Sequence, residues 1–468
     1  MFKQIFFVFS LGFGVLFAAD YNVLSHGLKA DGKSDNTAAM SALLQKTVPG
    51  DKISFPAGTY FFDGDIKLAG TDLVLEGEGT LLFKHKDNDP AYNDNRKINI
   101  TGKKITVRNL KVTSTANSRS AVYGLVSCFD ADNIRIENLE IYNSPSTAVY
   151  TIHSSRLWIM NNYVHDQWAD GIHISRGSDQ VVIHGNIIEH NGDDGIGVVS
   201  YHGPEPWNQH PRNNRVIMTD NIISRTPARG ICASGGNLII KGNVISETGK
   251  AGIICTAEGW ISGYTLIEGN TIFDVGTAQK YGFDFYDTNG TRSGIHVQYN
   301  RDMQIRGNFI YNARQGYGIS VTSSPDITIS DNQISHCIRG IYADIPAVFE
   351  NGEKFRADWM QELYGKGNAL AASGIPGCDN ITISGNTVRN CQADGIWVSG
   401  LKSRLNENVA LLNNILSGNN QSGQPGIRDV WAAYCRNLSM SGNISQGGNK
   451  APLSPAQGSA ECTPVATR

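Results

Sequence analysis

Neither sign of charge dominates this 468-residue chain: 40 Lys and Arg stand against 43 Asp and Glu, a formal net charge of −3. That balance removes the electrostatic attraction that makes nucleic acid a default partner. Long apolar runs are missing beyond the first 19 residues, so no membrane insertion is expected. The 8 cysteines include no Cys-x-x-Cys and no Cys/His spacing of the zinc type, and no metal or other cofactor is expected from them. Hydrophobic residues make up only 40%, but 17 Tyr, 17 Phe and 7 Trp, with Ile and Val recurring regularly, argue for a packed core over disorder. The length is ample for a large core.

The opening stretch, MFKQIFFVFSLGFGVLFAA, has an early Lys3, an apolar segment from Ile5 to Phe17 and then small residues. This is the layout of a secretory signal cleaved near Ala18 or Ala19, and its apolar part is too short to span a bilayer. The chain is therefore expected to be secreted or periplasmic, with residues 1–19 as the signal. Losing Lys3 takes the formal charge from −3 to −4.

From about residue 130 a two-part phrase returns. Its first half alternates apolar residues around an Asn: NIRIENLEI from Asn133, QVVIHGNII from Gln180, LIIKGNVI from Leu238, ITISGNTV from Ile381. Its second half is X-Gly-Ile and a further alternation: DGIHIS from Asp170, DGIGVV from Asp194, RGICAS from Arg229, DGIWVS from Asp394. The Gly falls at Gly171, Gly195, Gly230, Gly252, Gly294, Gly318, Gly340 and Gly395; steps of 22 to 24 set the period, and steps of 35, 42 and 55 mark insertions. Short period-two pieces joined by Gly or Asn turns at this spacing describe a chain that coils. The expected fold is all-β, a single right-handed parallel β-helix of about ten or more coils. Alternate Ile, Val and Leu stack inward on rungs about 4.8 Å apart. The recurring Asn suits either a left-handed turn or a side-chain ladder.

Residues 22–46 read as a strand, a loop and a short helix capped by Asp35 or Asn36, which would plug the first coil. This divides the chain into the signal, a β-helix over 20–445 with a capping segment at 20–60, and a Ser/Pro/Gly-rich tail over 446–468 expected to be extended and exposed. DGKSDNTAAM followed by ISFPAGTYFF resembles the opening segment of the pectate-lyase-like superfamily of exported, carbohydrate-acting β-helices.

Insertions at 201–213, 256–264 and 344–377 widen one side of the coil. In the third, Phe355, Trp359 and Leu363 at i, i+4 and i+8 predict a short amphipathic helix, packed on the wall or lying as a lid. Cys337 and Cys391 each follow a rung Asn by five residues, which places them on adjacent coils within disulfide reach. Cys435 with Cys462 would tie down the tail, and Cys255 falls in an inward phase as a core thiol.

The position before the repeating Gly collects charge: Asp170, Asp194 and Arg229 on successive coils, with Asp193 beside them. Carboxylates this close resist ionising together, so one stays protonated and a donor and an acceptor of protons coexist, as glycoside hydrolysis requires. Asp-Gly is also a favoured turn pair, and Asp394 repeats it far from the cluster. His173, outward beside Asp170, is a candidate substrate contact with Arg229. His202, Tyr201 and Trp207 in the first insertion are candidates for closing over the site and stacking on sugar.

ADGIHIS followed 24 residues later by GDDGIGV is similar to the two aspartate motifs of the polygalacturonase family of glycoside hydrolases. The resemblance implies base and acid for inverting hydrolysis at Asp170, Asp193 and Asp194, on an acidic or uronate-containing polysaccharide. NNYVHD with GIHISRGS resembles the β-helix alginate C5-epimerases, though His173-Ile174-Ser175 stands where their Asp-Pro-His phrase would. A lyase or epimerase needs a base near the sugar C5 and a cation against the uronate, which His173 and Arg229 could provide, with Ca²⁺ held by Asp193 and Asp194 in the lyase case. A non-catalytic polysaccharide-binding solenoid is the third reading. The sequence leaves the sugar and the oligomeric state open.

Overall fold

A computed structural model describes residues 18–200, 211–256, 261–277, 290–424 and 427–446, together with the backbone of 454–455. Each coil has the same anatomy. A strand such as Ser155–Met160 turns through Asn161 and Asn162 into Tyr163–His165, and the chain then crosses to Ile172–Ser175 before the next coil begins. The first two strands of each coil join one long parallel sheet; the third joins a fourteen-stranded parallel sheet, in keeping with the ten or more coils expected.

The register explains the second phrase of the repeat. Ile172 pairs with Ile196, then Ile231, Ile253, Ile295, Ile319, Ile341 and Ile396, a buried column along the axis. Two residues on, Ile174, Val198, Ala233, Cys255 and Val297 form the next inward column, and Cys255 is the core thiol expected. The Gly before each Ile is steric in origin. A Cβ on Gly195 would lie 2.4 Å from Ile223 Cγ2 and 2.6 Å from the Gly230 carbonyl oxygen, so any side chain there would push the rungs apart.

The Asn of the first phrase fulfils both expected roles through two neighbouring residues. Asn161 takes the left-handed conformation, and Asn162 behind it is buried in a ladder. Asn162, Asn186, Asn221, Asn243, Asn270, Asn308, Asn332, Asn386, Asn414 and Asn443 follow rung by rung, each Nδ2 donating to the next Oδ1 at 2.9 to 3.0 Å. The turn amides donate into the same oxygens, so the ladder satisfies buried backbone that the strands leave behind.

At the N-terminal end, α1 (Thr37–Leu44) closes the first coil with Met40 and Leu43 buried. Its cap is Asp35, whose Oδ1 accepts from the Thr37 amide and hydroxyl, while Asn36 bonds back to Lys29 and Phe61. The third insertion forms α2 (Ala357–Tyr364), whose Met360 and Leu363 pack on Ile261, so this helix belongs to the wall and is not a lid.

Three expectations need correction or fall outside view. Cys337 and Cys391 do lie on adjacent coils, just past the paired Ser335 and Arg389, but both are buried free thiols; register brings the residues together without making the bond. Cys435 is buried, and its expected partner Cys462 lies outside the described residues. The tail is not wholly extended into solvent, because the backbone of Ser454–Pro455 pairs with Trp431 and Ala432 as a further rung. No helix among the described residues is long and apolar enough to cross a membrane.

Candidate active site

The fourteen-stranded sheet carries the charged column on its outer face. Pairing of Ile172 with Ile196 sets Asp170 beside Asp194, and the next rung brings Arg229. Each pre-glycine carboxylate also caps the rung above it. Asp170 Oδ1 accepts the Asp194 amide at 3.0 Å, and Asp194 Oδ1 accepts the Arg229 amide at 2.9 Å. The turn role of Asp-Gly is thus real, and the chemistry is built on it.

One oxygen each from Asp170, Asp193 and Asp194 lies within 4.8 Å of the others. That is tighter than the roughly 6.5–9.5 Å usual between the acid and base of an inverting pair, so an attacking water would sit at the rim of this cluster. The side chains are 11% exposed at Asp170, 7% at Asp194 and 20% at Asp193, which makes Asp193 the carboxyl nearest solvent.

Their surroundings split them. Burial pushes Asp170 up, but His173, the Asp194 amide and Arg229 outweigh it and hold the carboxyl below its ordinary range. Asp193 is raised by burial and the Asp170 charge, against the pull of Arg119. Asp194 is raised well above the usual range, because burial and two neighbouring carboxylates overcome Arg229. Three carboxylates against two guanidiniums leave one unmatched negative charge, which a single proton shared by Asp193 and Asp194 removes.

His173 Nδ1 meets Asp170 Oδ2 at 2.5 Å; an ionised carboxylate only accepts, so the ring proton sits on Nδ1. The imidazole lies on the outward side of its strand, as expected, but is buried there and stacks on Tyr150 at 4.8 Å between centroids, where it orients Asp170. Arg229 Nε bonds Asp194 Oδ1 at 2.9 Å, so this guanidinium holds the aspartate in place. Tyr201, His202 and Trp207 lie outside the described residues. As a cation site the cluster is poorly suited: three carboxylates fall short of the roughly six to eight oxygens Ca²⁺ takes, and two arginines and a histidine already bond them.

Arg119 escapes the sequence reading. Its Nη1 donates to Asp193 Oδ2 at 2.9 Å from a loop 74 residues earlier. The carboxylate of Asp87 anchors that loop by accepting from the Ser118 and Ser120 hydroxyls and the Asn117 amide, while the Ser120 amide donates to the Pro145 carbonyl one coil on. The only signal was a break in the alternation at STANSRS.

Asp394 also departs from expectation. Far from being a bland turn, it is buried, accepts Arg339 Nε at 2.8 Å and caps the Arg428 amide at 3.1 Å.

No curated protein matches the chain in sequence. Among solved structures, the mannuronan C-5 epimerase AlgE6 A-module of Azotobacter vinelandii is similar at 17% identity and TM-score 0.57, over 92% of this chain and 100% of that one. The catalytic unit of a thermostable GH87 α-1,3-glucanase from Streptomyces thermodiastaticus is similar at 16% identity and TM-score 0.55, over 93% and 70%. Pre-mature gene product 12 of bacteriophage phi29 is similar at 15% identity and TM-score 0.57, over 92% and 56%. At these identities the likeness is one of fold, the parallel β-helix expected from the repeat. The family described as right handed beta helix region matches residues 96–272, 212–345 and 260–445, most of the sequence, and the chain belongs to it.

Proposed function

We propose that the chain is a polysaccharide-degrading glycoside hydrolase acting on an acidic, uronate-containing polymer. One observation carries the reading: three carboxylates share one site, and their environments push Asp170 down and Asp193 and Asp194 up. Asp170, ionised, takes a proton from water as the water oxygen bonds the anomeric carbon. The proton shared by Asp193 and Asp194 passes to the glycosidic oxygen as its bond to that carbon breaks. Because the carboxyl oxygens lie within 4.8 Å of one another, the proton gained by Asp170 returns across the cluster and resets the site. Arg119 and Arg229 keep the carboxyls in place and offer positive charge to a uronate.

Asp170 bonded to His173, with Tyr150 stacked on that imidazole, supports a second reading, proton abstraction from C5 of a uronate in a lyase or epimerase. The two chemistries leave different products. Export is expected from the leader-like first 19 residues. A panel of acidic and neutral polysaccharides, read by reducing-sugar release, by ultraviolet absorbance of unsaturated uronate and by NMR of sugar configuration, separates them. Reducing ends without new absorbance are expected; an unsaturated uronate for every new reducing end, or inverted uronates in an uncut chain, would replace the hydrolase with the second reading.

The pH–rate profile follows from the same shifts. Activity should fall at low pH only as Asp170 gains a proton, below the ordinary aspartate range. On the alkaline side it should fall as the shared proton leaves, above that range. A narrow optimum centred on the ordinary carboxylate range would contradict this assignment.

A further inference from the structure

Five rungs beyond Asp194 on the same sheet, about 24 Å at the usual rung spacing, the pre-glycine column becomes charged again. It reads Arg339, Asp394 and Arg428 on successive rungs, the reverse of the acidic balance at the aspartates. Asp394 is the fixed point, its side chain 2% exposed; it accepts Arg339 Nε at 2.8 Å and the Arg428 amide at 3.1 Å.

Arg339 is 24% exposed and lies over an aromatic wall. Its guanidinium carbon lies 4.7 Å from the centroid of Trp397 and 5.5 Å from that of Tyr342. The wall is a stack along the rungs: Tyr317 on Tyr342 at 4.3 Å, Tyr342 on Trp397 at 6.5 Å, Trp397 on Trp431 at 5.0 Å. Arg428 lies over Trp431 at 5.4 Å. The terminal nitrogens of Arg339 make no hydrogen bond among the described residues. A planar fork fixed at Nε, stiffened by rings on one side and open at its outer nitrogens, suits bidentate capture of a carboxylate.

Between the two clusters, the outward positions Cys232, Ile254, His296 and Ser320 are buried, so the second cluster is a separate surface feature. The carboxylates of Asp344, which accepts the Tyr342 hydroxyl at 3.0 Å, and Asp429 stand close by, so recognition of an acidic polymer here rests on the fork of Arg339 and not on net charge.

We propose that Arg339, oriented by Asp394 on the Tyr342–Trp397 wall, is the centre of a second, non-catalytic carbohydrate site that takes the carboxylate of a uronate unit in the substrate polymer. The inference rests on the acidic-polymer reading above. It gives one chain two points of hold, one at the aspartates and one about five rungs away.

The test is isothermal titration calorimetry with galacturonate trimers, too short to reach both clusters, on full-length Asp193→Asn protein so that no turnover intervenes. Two binding events are expected. Arg339→Lys, which keeps a cation for Asp394 but loses the fork, should remove one event or weaken it by roughly tenfold, and leave the other unchanged. Neutral glucan trimers should show no event sensitive to position 339. With Asp193 intact, Arg339→Lys should raise KM on long polymer and leave kcat on trimers unchanged. Identical trimer binding with Arg or Lys at 339, in folded protein by circular dichroism, overturns the site even if the enzyme cleaves acidic polymer. Loss of an event at 339 in a protein that cleaves nothing upholds the site and defeats the hydrolase reading instead.

Discussion

Replacing Asp193 by Asn is expected to lower turnover by roughly 10²-fold or more, the usual cost of losing a general acid, while thermal stability stays close to wild type. Asp193 is the most exposed of the three carboxyls, and its ion pair with Arg119 is half in solvent, so it contributes little to folding. The neighbours should behave differently, because both are buried. Asp194→Asn imitates the protonated form that burial already favours, and its amide oxygen still accepts the Arg229 backbone; activity falls similarly and stability changes little. Asp170→Asn loses the same order of activity and also stability, by about 1–3 kcal/mol, since the amide cannot replace an ionised acceptor for both His173 and the Asp194 amide. Asp394→Asn, the obvious Asp-Gly control by sequence, is unsuitable because it would unpair Arg339. Rates on a cleaved polysaccharide, with melting curves for each variant, check the whole set. Undiminished activity in all three would move the chemistry away from this cluster.

How far the sequence led depends on what a period can encode. A two-phrase repeat assigns each residue a rung and a column, which is why the Ile columns, the core position of Cys255, the Asn positions and the grouping of Asp170, Asp194 and Arg229 were legible. A column address does not say how deep a side chain lies. His173 was rightly set beside Asp170, but its stacking on Tyr150 and its burial depend on neighbours that alternation leaves unspecified. Cys337 and Cys391 share adjacent rungs and remain thiols, so the address fixed proximity alone. Arg119 was invisible for a deeper reason. It reaches Asp193 from a loop whose path is set by Asp87 and three donors in STANSRS, and a loop leaving the coil has no register to read. Asp394 looked like a turn residue because its local phrase is that of Asp194; its partner Arg339 lies 55 residues away across the third insertion.

The largest loss of stability should come from a residue that touches no substrate. Asn243 lies inside the ladder and makes four hydrogen bonds. Its Oδ1 accepts the Asn221 amide and the Asn221 Nδ2, both at 3.0 Å, and its Nδ2 donates to the Met218 carbonyl at 3.0 Å and to Asn270 Oδ1 at 2.9 Å. All of this is sealed from solvent. Asn243→Ala removes the four bonds and strands the Asn221 backbone N–H and side-chain donor in the interior. Each unsatisfied buried group costs about 1–3 kcal/mol, so an overall loss of about 3–5 kcal/mol is expected, at the upper end for a single substitution. Asn443 supplies the internal comparison. It is the last rung of the ladder among the described residues, is partly exposed, and accepts from Asn414 in the same way, so water can replace what Asn443→Ala takes away. Urea unfolding followed by circular dichroism should therefore show a large fall in midpoint for Asn243→Ala and a small one for Asn443→Ala. Equal midpoints for the two would mean that the apolar columns alone hold the coils in register and that the ladder is incidental to stability.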